Sequence, residues 1–164
     1  VTVAVLTAAL TACGPVETTG AEWPALPQQA SLVPHTVVAG VHTTEYSALR
    51  ERDRRAILTA GEWEAFWLAF HGPLEPKPDA PVIDFSRQMV LVAAMGERAT
   101  GGYQIAIESV YRAAGKLLVR VEETAPGAGC ILTQALTAPV TAVVVARSEE
   151  AVEFQDRTIV VSCG

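Results

Sequence analysis

Ala99-Thr100-Gly101-Gly102-Tyr103-Gln104-Ile105-Ala106-Ile107-Glu108 is the stretch whose reading decides the fold. Tyr103, Ile105 and Ile107 alternate with Gln104, Ala106 and Glu108. Successive side chains of an extended chain point to opposite faces, so a period of two marks a half-buried strand. The adjacent glycines before it mark a tight entry, where the backbone takes φ > 0 or approaches another segment closely. The strand runs to about Tyr111. Ala113-Ala114-Gly115 reverses the chain, and Lys116 to Glu123 returns with Leu117, Val119 and Val121 on one face. That is a hairpin, with Gly115 where φ > 0 is wanted.

Upstream, Met89 to Met95 is apolar at every position, which suits a central strand covered on both faces. Before it, Thr59 and Glu62 have capping-box spacing, and Trp63, Phe66, Trp67 and Phe70 recur at helical intervals. Gly72-Pro73 ends that helix, and Pro73, Pro76, Pro78 and Pro81 make a stiff connection. The aromatic stripe reads as a face packed on a sheet rather than a ligand shelf, because a helix this short needs such a face for stability. Further strands are expected over about 36–46, 55–58, 130–135, 140–147, 152–154 and 157–163. The fold class is therefore α+β, mainly antiparallel β: about eight strands in a sandwich or open barrel, with one amphipathic helix packed on the sheet. No βαβ alternation occurs, so a parallel sheet is not expected.

The chain has 164 residues, half of them apolar, with a net charge of −6 and a pI near 5.0. That is one domain's worth, and the acidity argues against nucleic acid and against attraction to anionic lipid. Val1 to Ala12 carries no charge, and Val3 to Leu10 is an apolar run, too short to span a bilayer core of roughly 30 Å but long enough for a secretory h-region. It ends in Leu10-Thr11-Ala12-Cys13, which resembles a bacterial lipobox, although no positively charged n-region precedes it. A short buried strand with an incidental cysteine is the alternative. The lipobox implies residues 1–12 as a lipoprotein signal peptide and Cys13 as a lipidated N-terminus. It also implies residues 13–30 as a flexible tether and 31–164 as a single β-rich domain. The expected location is the bacterial cell envelope, lipid-anchored and facing the periplasm or the cell exterior. In that oxidising setting Cys130 and Cys163 would pair; two separately buried thiols are the other reading.

Motifs that carry chemistry are scarce. There is no Gly-x-Ser-x-Gly elbow, zinc-binding His-Glu-x-x-His, P-loop or dinucleotide fingerprint. His35 and His42 have an odd separation, poor for a shared metal in one strand, and Glu122-Glu123 point to opposite faces of theirs. The expectation is no enzyme, no cofactor and no metal site.

Several short runs together resemble a known family. They include Val82-Ile83-Asp84-Phe85-Ser86, Met89-Val90-Leu91-Val92 and Gly96-Glu97-Arg98 with Thr100-Gly101-Gly102-Tyr103. Glu122-Glu123-Thr124, Pro126-Gly127, Gly129-Cys130 and Thr133-Gln134-Ala135-Leu136-Thr137-Ala138-Pro139 complete the set. Over roughly residues 82–147 the chain resembles the C-terminal domain of the PrcB-type protease-complex-subunit family. The resemblance implies a bacterial, often lipid-anchored, accessory subunit of a surface protease assembly, and it carries over no catalytic residue. The expected partner is an exported protease or other envelope protein. Thr100, Gly101, Gly102 and Tyr103 are the candidate contacts, since glycines let a partner backbone approach. The alternative is a direct protease inhibitor. Thr-Gly-Gly-Tyr looks like the Thr-Gly-Tyr loop of chagasin-type cysteine-protease inhibitors with one glycine inserted.

Overall fold

In the computed structural model, which describes residues 17–42 and 47–163, β5 (Gln88–Ala94) lies between two apolar layers. Every residue from Met89 to Met95 is buried. Met89, Leu91 and Ala93 enter one cluster, and Val90, Val92 and Ala94 enter the other. An extended chain covered on both sides has no polar face to show, which is why this run lacks alternation.

β5 belongs to a sheet ordered β3 (His35–Val37), β8 (Val140–Ala146), β5, β4 (Asp53–Ile57), with every pair antiparallel. A second sheet is ordered β1 (Glu17–Gly20), β9 (Ala151–Ser162), β7 (Lys116–Pro126), β6 (Gln104–Ala113), β2 (Ser31–Val33). Ile105, Ile107 and Val110 of β6 and Leu117, Val119 and Val121 of β7 meet the odd-numbered residues of β5 across the interior. The helix α1 (Ala60–His71) covers the opposite face of the β5 sheet with Trp63, Phe66, Trp67 and Phe70. The layers therefore run sheet, sheet, helix. The fold is α+β and mainly antiparallel, and of the two expected shapes it is the sandwich.

The capping box of α1 is formed: Thr59 Oγ1 accepts from Glu62 N–H at 3.2 Å, and the Glu62 carboxylate accepts from Thr59 N–H at 3.0 Å and Leu58 N–H at 2.9 Å. The indole N–H groups of Trp63 and Trp67 donate to the carbonyls of Pro81 and Pro78, so the proline connection runs back beside the helix and satisfies them.

Several expectations change. β7 and β9 pair in parallel, because β8 crosses to the other sheet between them and returns the chain in the same direction. The strands expected over 152–154 and 157–163 merge into one, β9 (Ala151–Ser162), in which Asp156 of the polar Gln155-Asp156 pair is met by Arg52 and Arg54. Residues 130–135 are loop. The strand expected over 36–46 shrinks to β3, with 43–46 outside the described residues. Residues 17–20, read as tether, form β1 against β9, from Glu17 opposite Ser162 to Gly20 opposite Ile159. The stretch from β1 to β2 then joins the two edges of that sheet. Trp23 lies on it under the guanidinium groups of Arg157, at 4.4 Å, and Arg120, at 5.2 Å, and Arg120 also donates to the Pro24 carbonyl.

Candidate functional site

Four strand ends meet at one end of the β1-containing sheet. Pro126 of β7 stands beside Val161 of β9, Glu17 of β1 beside Ser162, and Gln104 of β6 beside Thr124. The loop after β7 folds onto this end. Gly127 N–H donates to Val161 O at 2.8 Å, Cys163 N–H donates to Ala128 O at 2.9 Å, and Cys130 and Cys163 are joined as a disulfide with Cα atoms 4.7 Å apart. Gly129, at φ +78°, lies so close that a Cβ there would fall on the Cys163 carbonyl oxygen. The pairing of the two cysteines is thus fixed by the backbone ladder around them.

The same loop holds the glycine turn. Gly101 N–H donates to Thr133 O at 2.9 Å; Arg98 and Thr137 exchange backbone hydrogen bonds of 2.7 and 2.9 Å; Thr137 Oγ1 donates to Thr100 O at 2.8 Å. The motifs Gly96–Tyr103 and Thr133–Pro139, far apart in sequence, are two sides of one joint. Gly102 has φ +89°, and a Cβ there would stand 2.8 Å from Leu132 Cδ2. Tyr103 packs against the interior cluster, with the Arg98 guanidinium 5.6 Å from its ring centre. Thr100, Gly101, Gly102 and Tyr103 therefore come together with Cys130 and Cys163, in a turn whose hydrogen bonds are spent within the chain. Cys13 lies outside the described residues.

This end exposes two large apolar side chains beside the polar Thr133 and Gln134: Ile131 is fully exposed and Leu136 more than half exposed. A groove of about 420 Å³ runs between the loop and the sheet, lined mainly by Pro126, Ile131, Leu132, Ile159, Val161 and the disulfide, with Gln104 and Thr124 as its polar members. No charged residue occurs from Ala125 to Ala146 or from Thr158 to Gly164. Ile131 and Leu136 were not singled out from sequence, although the charge-free run was there to be seen.

The main ionic cluster lies elsewhere, between the sheets. Arg54 reaches Glu123 through Nη2 and Asp156 through Nε at 2.8 Å, and donates to the carbonyls of Asp53 and Ala94 at 2.7 Å. Arg52 meets Glu123 at 3.2 Å and Asp156 at 3.1 Å. Burial pulls the Arg52 pKa down, but Asp156 and Glu123 outweigh it and the net shift is upward. Glu122 faces the other way and pairs with Arg157. Arg54 and Arg52 thereby tie the β4 edge of one sheet to β7 and β9 of the other. His71, at the C-terminal end of α1, is pushed toward its neutral form by burial, with Lys77 adding. Among the described residues its Nε2 has no hydrogen-bond partner, and its ring meets Trp67 and Phe70 edge-on. Among the described residues no group of histidine, cysteine and acidic side chains is placed to hold a metal ion. No described helix is long and apolar enough to cross a membrane.

Residues 89–146, a little over a third of the chain, match the family described as PrcB C-terminal. The match covers β5 to β8 with the stapled loop between β7 and β8. No curated protein and no solved structure matches the chain.

Proposed function

We propose, taking residues 89–146 as a PrcB C-terminal domain, that the chain is a non-catalytic accessory subunit of a protease-related assembly in the bacterial envelope. Lipid on Cys13 anchors it, and it binds an exported protease or another envelope protein. The observation that carries this reading is the family match itself, which falls on the centre of the sandwich and on the joint of the two motifs. The disulfide supports an oxidising compartment. The arginine-saturated carboxylates support a role without acid–base chemistry. An inhibitor would send Thr100–Tyr103 into a protease cleft. Here Thr100 O and Gly101 N–H are engaged by Thr137 and Thr133, and Tyr103 packs inward, which weighs against insertion of this turn into a cleft and equally against these four residues as the accessory subunit's contacts.

The test is metabolic labelling with an alkynyl fatty acid, in cells making the chain or its Cys13→Ser variant, followed by cross-linking and identification of the captured proteins. The reading expects label on the parent only, and an exported protease or its complex among the cross-linked products. Label absent from the parent removes the anchor; reproducible capture without any protease or envelope protein removes the subunit role.

A further inference from the structure

We propose that the disulfide-stapled end of the sandwich, with Ile131 exposed on its loop, lies against the lipid surface that holds the anchor. This rests on the lipid-anchored reading above and adds an orientation to it. The first argument is reach. Cys13 stands four residues before Glu17, and four residues fully extended span at most about 14 Å. Glu17 is already paired with Ser162, next to the disulfide. The opposite end of the sheet, at the hairpin turn before Lys116, lies the length of β7 away, about 35 Å at the usual rise per residue. An anchor on so short a lead brings the stapled end to within about 14 Å of the membrane, whereas the hairpin end has no such tether.

The second argument is chemistry. The chain carries −6, yet the loop 127–139 and residues 158–164 contribute no charged side chain to this end, where Glu17 of β1 and Arg98 of the glycine turn are the charged residues beside them. Charged groups resist removal from water, whereas an exposed isoleucine gains from it. Ile131 is 102% exposed and Leu136 56% exposed. One exposed apolar residue is ordinary on a protein surface; here two stand on a charge-free loop within reach of a lipid anchor. The third argument is rigidity. The disulfide and the hydrogen bonds from Gly101, Gly127 and Cys163 hold the loop in shape, so little ordering is left for the membrane to impose. The attraction is apolar and does not require anionic lipid.

The experiment uses the chain from Cys13 onward, its cysteine thiol coupled to a maleimide-bearing phospholipid; Cys130 and Cys163 are bonded and do not react. It is reconstituted on phosphatidylethanolamine–phosphatidylglycerol vesicles containing lipid brominated on its acyl chains. Ile131→Trp and, at the far end, Lys116→Trp report position through bromine quenching above the background of the unsubstituted chain. The proposal expects quenching and a blue shift at 131 and neither at 116. Hydrogen exchange on the unsubstituted chain gives the same readout without mutation: vesicles slow the amides of 128–136 and leave 112–118 unchanged. Anchored protein with no quenching at 131, or with quenching at 116, overturns the orientation and leaves the anchor reading intact. Shielding of the indole in the Ile131→Trp variant that grows with protein concentration without vesicles assigns this end to a second copy and also overturns it. Failure of cells to acylate Cys13, read in the separate labelling assay, removes the anchor reading and this proposal with it.

Discussion

At the scale of single residues, the adjacent glycines of the turn are not equivalent. Gly102 sits at φ +89° with Leu132 in the way of a side chain, whereas a Cβ on Gly101 would meet only Thr133, at 3.4 Å. An L-residue in the left-handed region costs of order 1 kcal/mol before any clash is counted. Gly102→Ala should therefore lower stability by about 1–2 kcal/mol, and Gly101→Ala by a few tenths, in denaturant midpoints at constant m. Equal effects would show that the turn is not held as described. His71 makes a second prediction. Its folded pKa is depressed below the ordinary 6.5, by burial first and Lys77 second. Above 6.5 neither folded nor unfolded chain is protonated there, and its full contribution to stability is present. As pH falls below 6.5 the unfolded chain takes up the proton first, so stability declines until folded His71 protonates too. His71→Asn should flatten the stability profile just below 6.5; an unchanged slope contradicts the assignment. Glu62 is held below its ordinary 4.5 by the Leu58 amide and then by Thr59, so its contribution is lost only at lower pH, as the folded carboxylate protonates. The two windows can be separated in one titration.

At the scale of elements, what was legible in the sequence was what local periodicity governs. Thr59, Glu62 and the aromatic stripe gave α1 with its cap, and the alternation from Tyr103 gave β6. The hairpin at Ala114-Gly115 followed from turn chemistry, with φ values of 51° and 72°. What failed depended on distant partners. Gln155-Asp156 interrupts an apolar pattern, and the partners of Asp156 inside the strand are arginines on β4 and just before it, far upstream. Glu17–Gly20 has no period of its own and becomes a strand because β9 offers an edge. Ile131 to Ala135 has a strand's composition but is tied instead as a loop, by Cys163 on one side and Gly101 on the other. That tie yields a prediction for the element. The disulfide joins residues 33 apart, and in the chain-entropy picture closing such a loop is worth roughly 3–4 kcal/mol. Cys130→Ala with Cys163→Ala should cost about that much by chemical denaturation. It should also speed amide exchange in β1 and the last turn of β9 before it reaches β5. A pair of alanines with unchanged stability and exchange would show that the backbone ladder alone secures the stapled end.

For the whole molecule, the question is what fixes one sheet over the other, since the proposed orientation of the stapled end needs a sandwich that does not shear. Apolar packing between β5, β6 and β7 is strong but not directional. Direction comes from Arg54, which leaves the β4 edge and reaches Glu123 of β7 and Asp156 of β9. The side chains of Arg54 and Glu123 are each only 10% exposed. Breaking a buried pair strands the remaining charge and costs about 3–5 kcal/mol, whereas removing both charges is often close to neutral. Arg52, half exposed, still meets Glu123 and can screen part of the loss, so Arg54→Leu should sit at the lower end, about 3 kcal/mol. Adding Glu123→Gln to Arg54→Leu should then recover part of the loss, because the carboxylate that had lost its partner is no longer ionised. A double-mutant cycle from urea unfolding measures this coupling directly. Additive losses would mean that the two side chains do not act as a pair. The sheets would then be positioned by packing alone, and the rigidity asked of the stapled end would have to come from its disulfide.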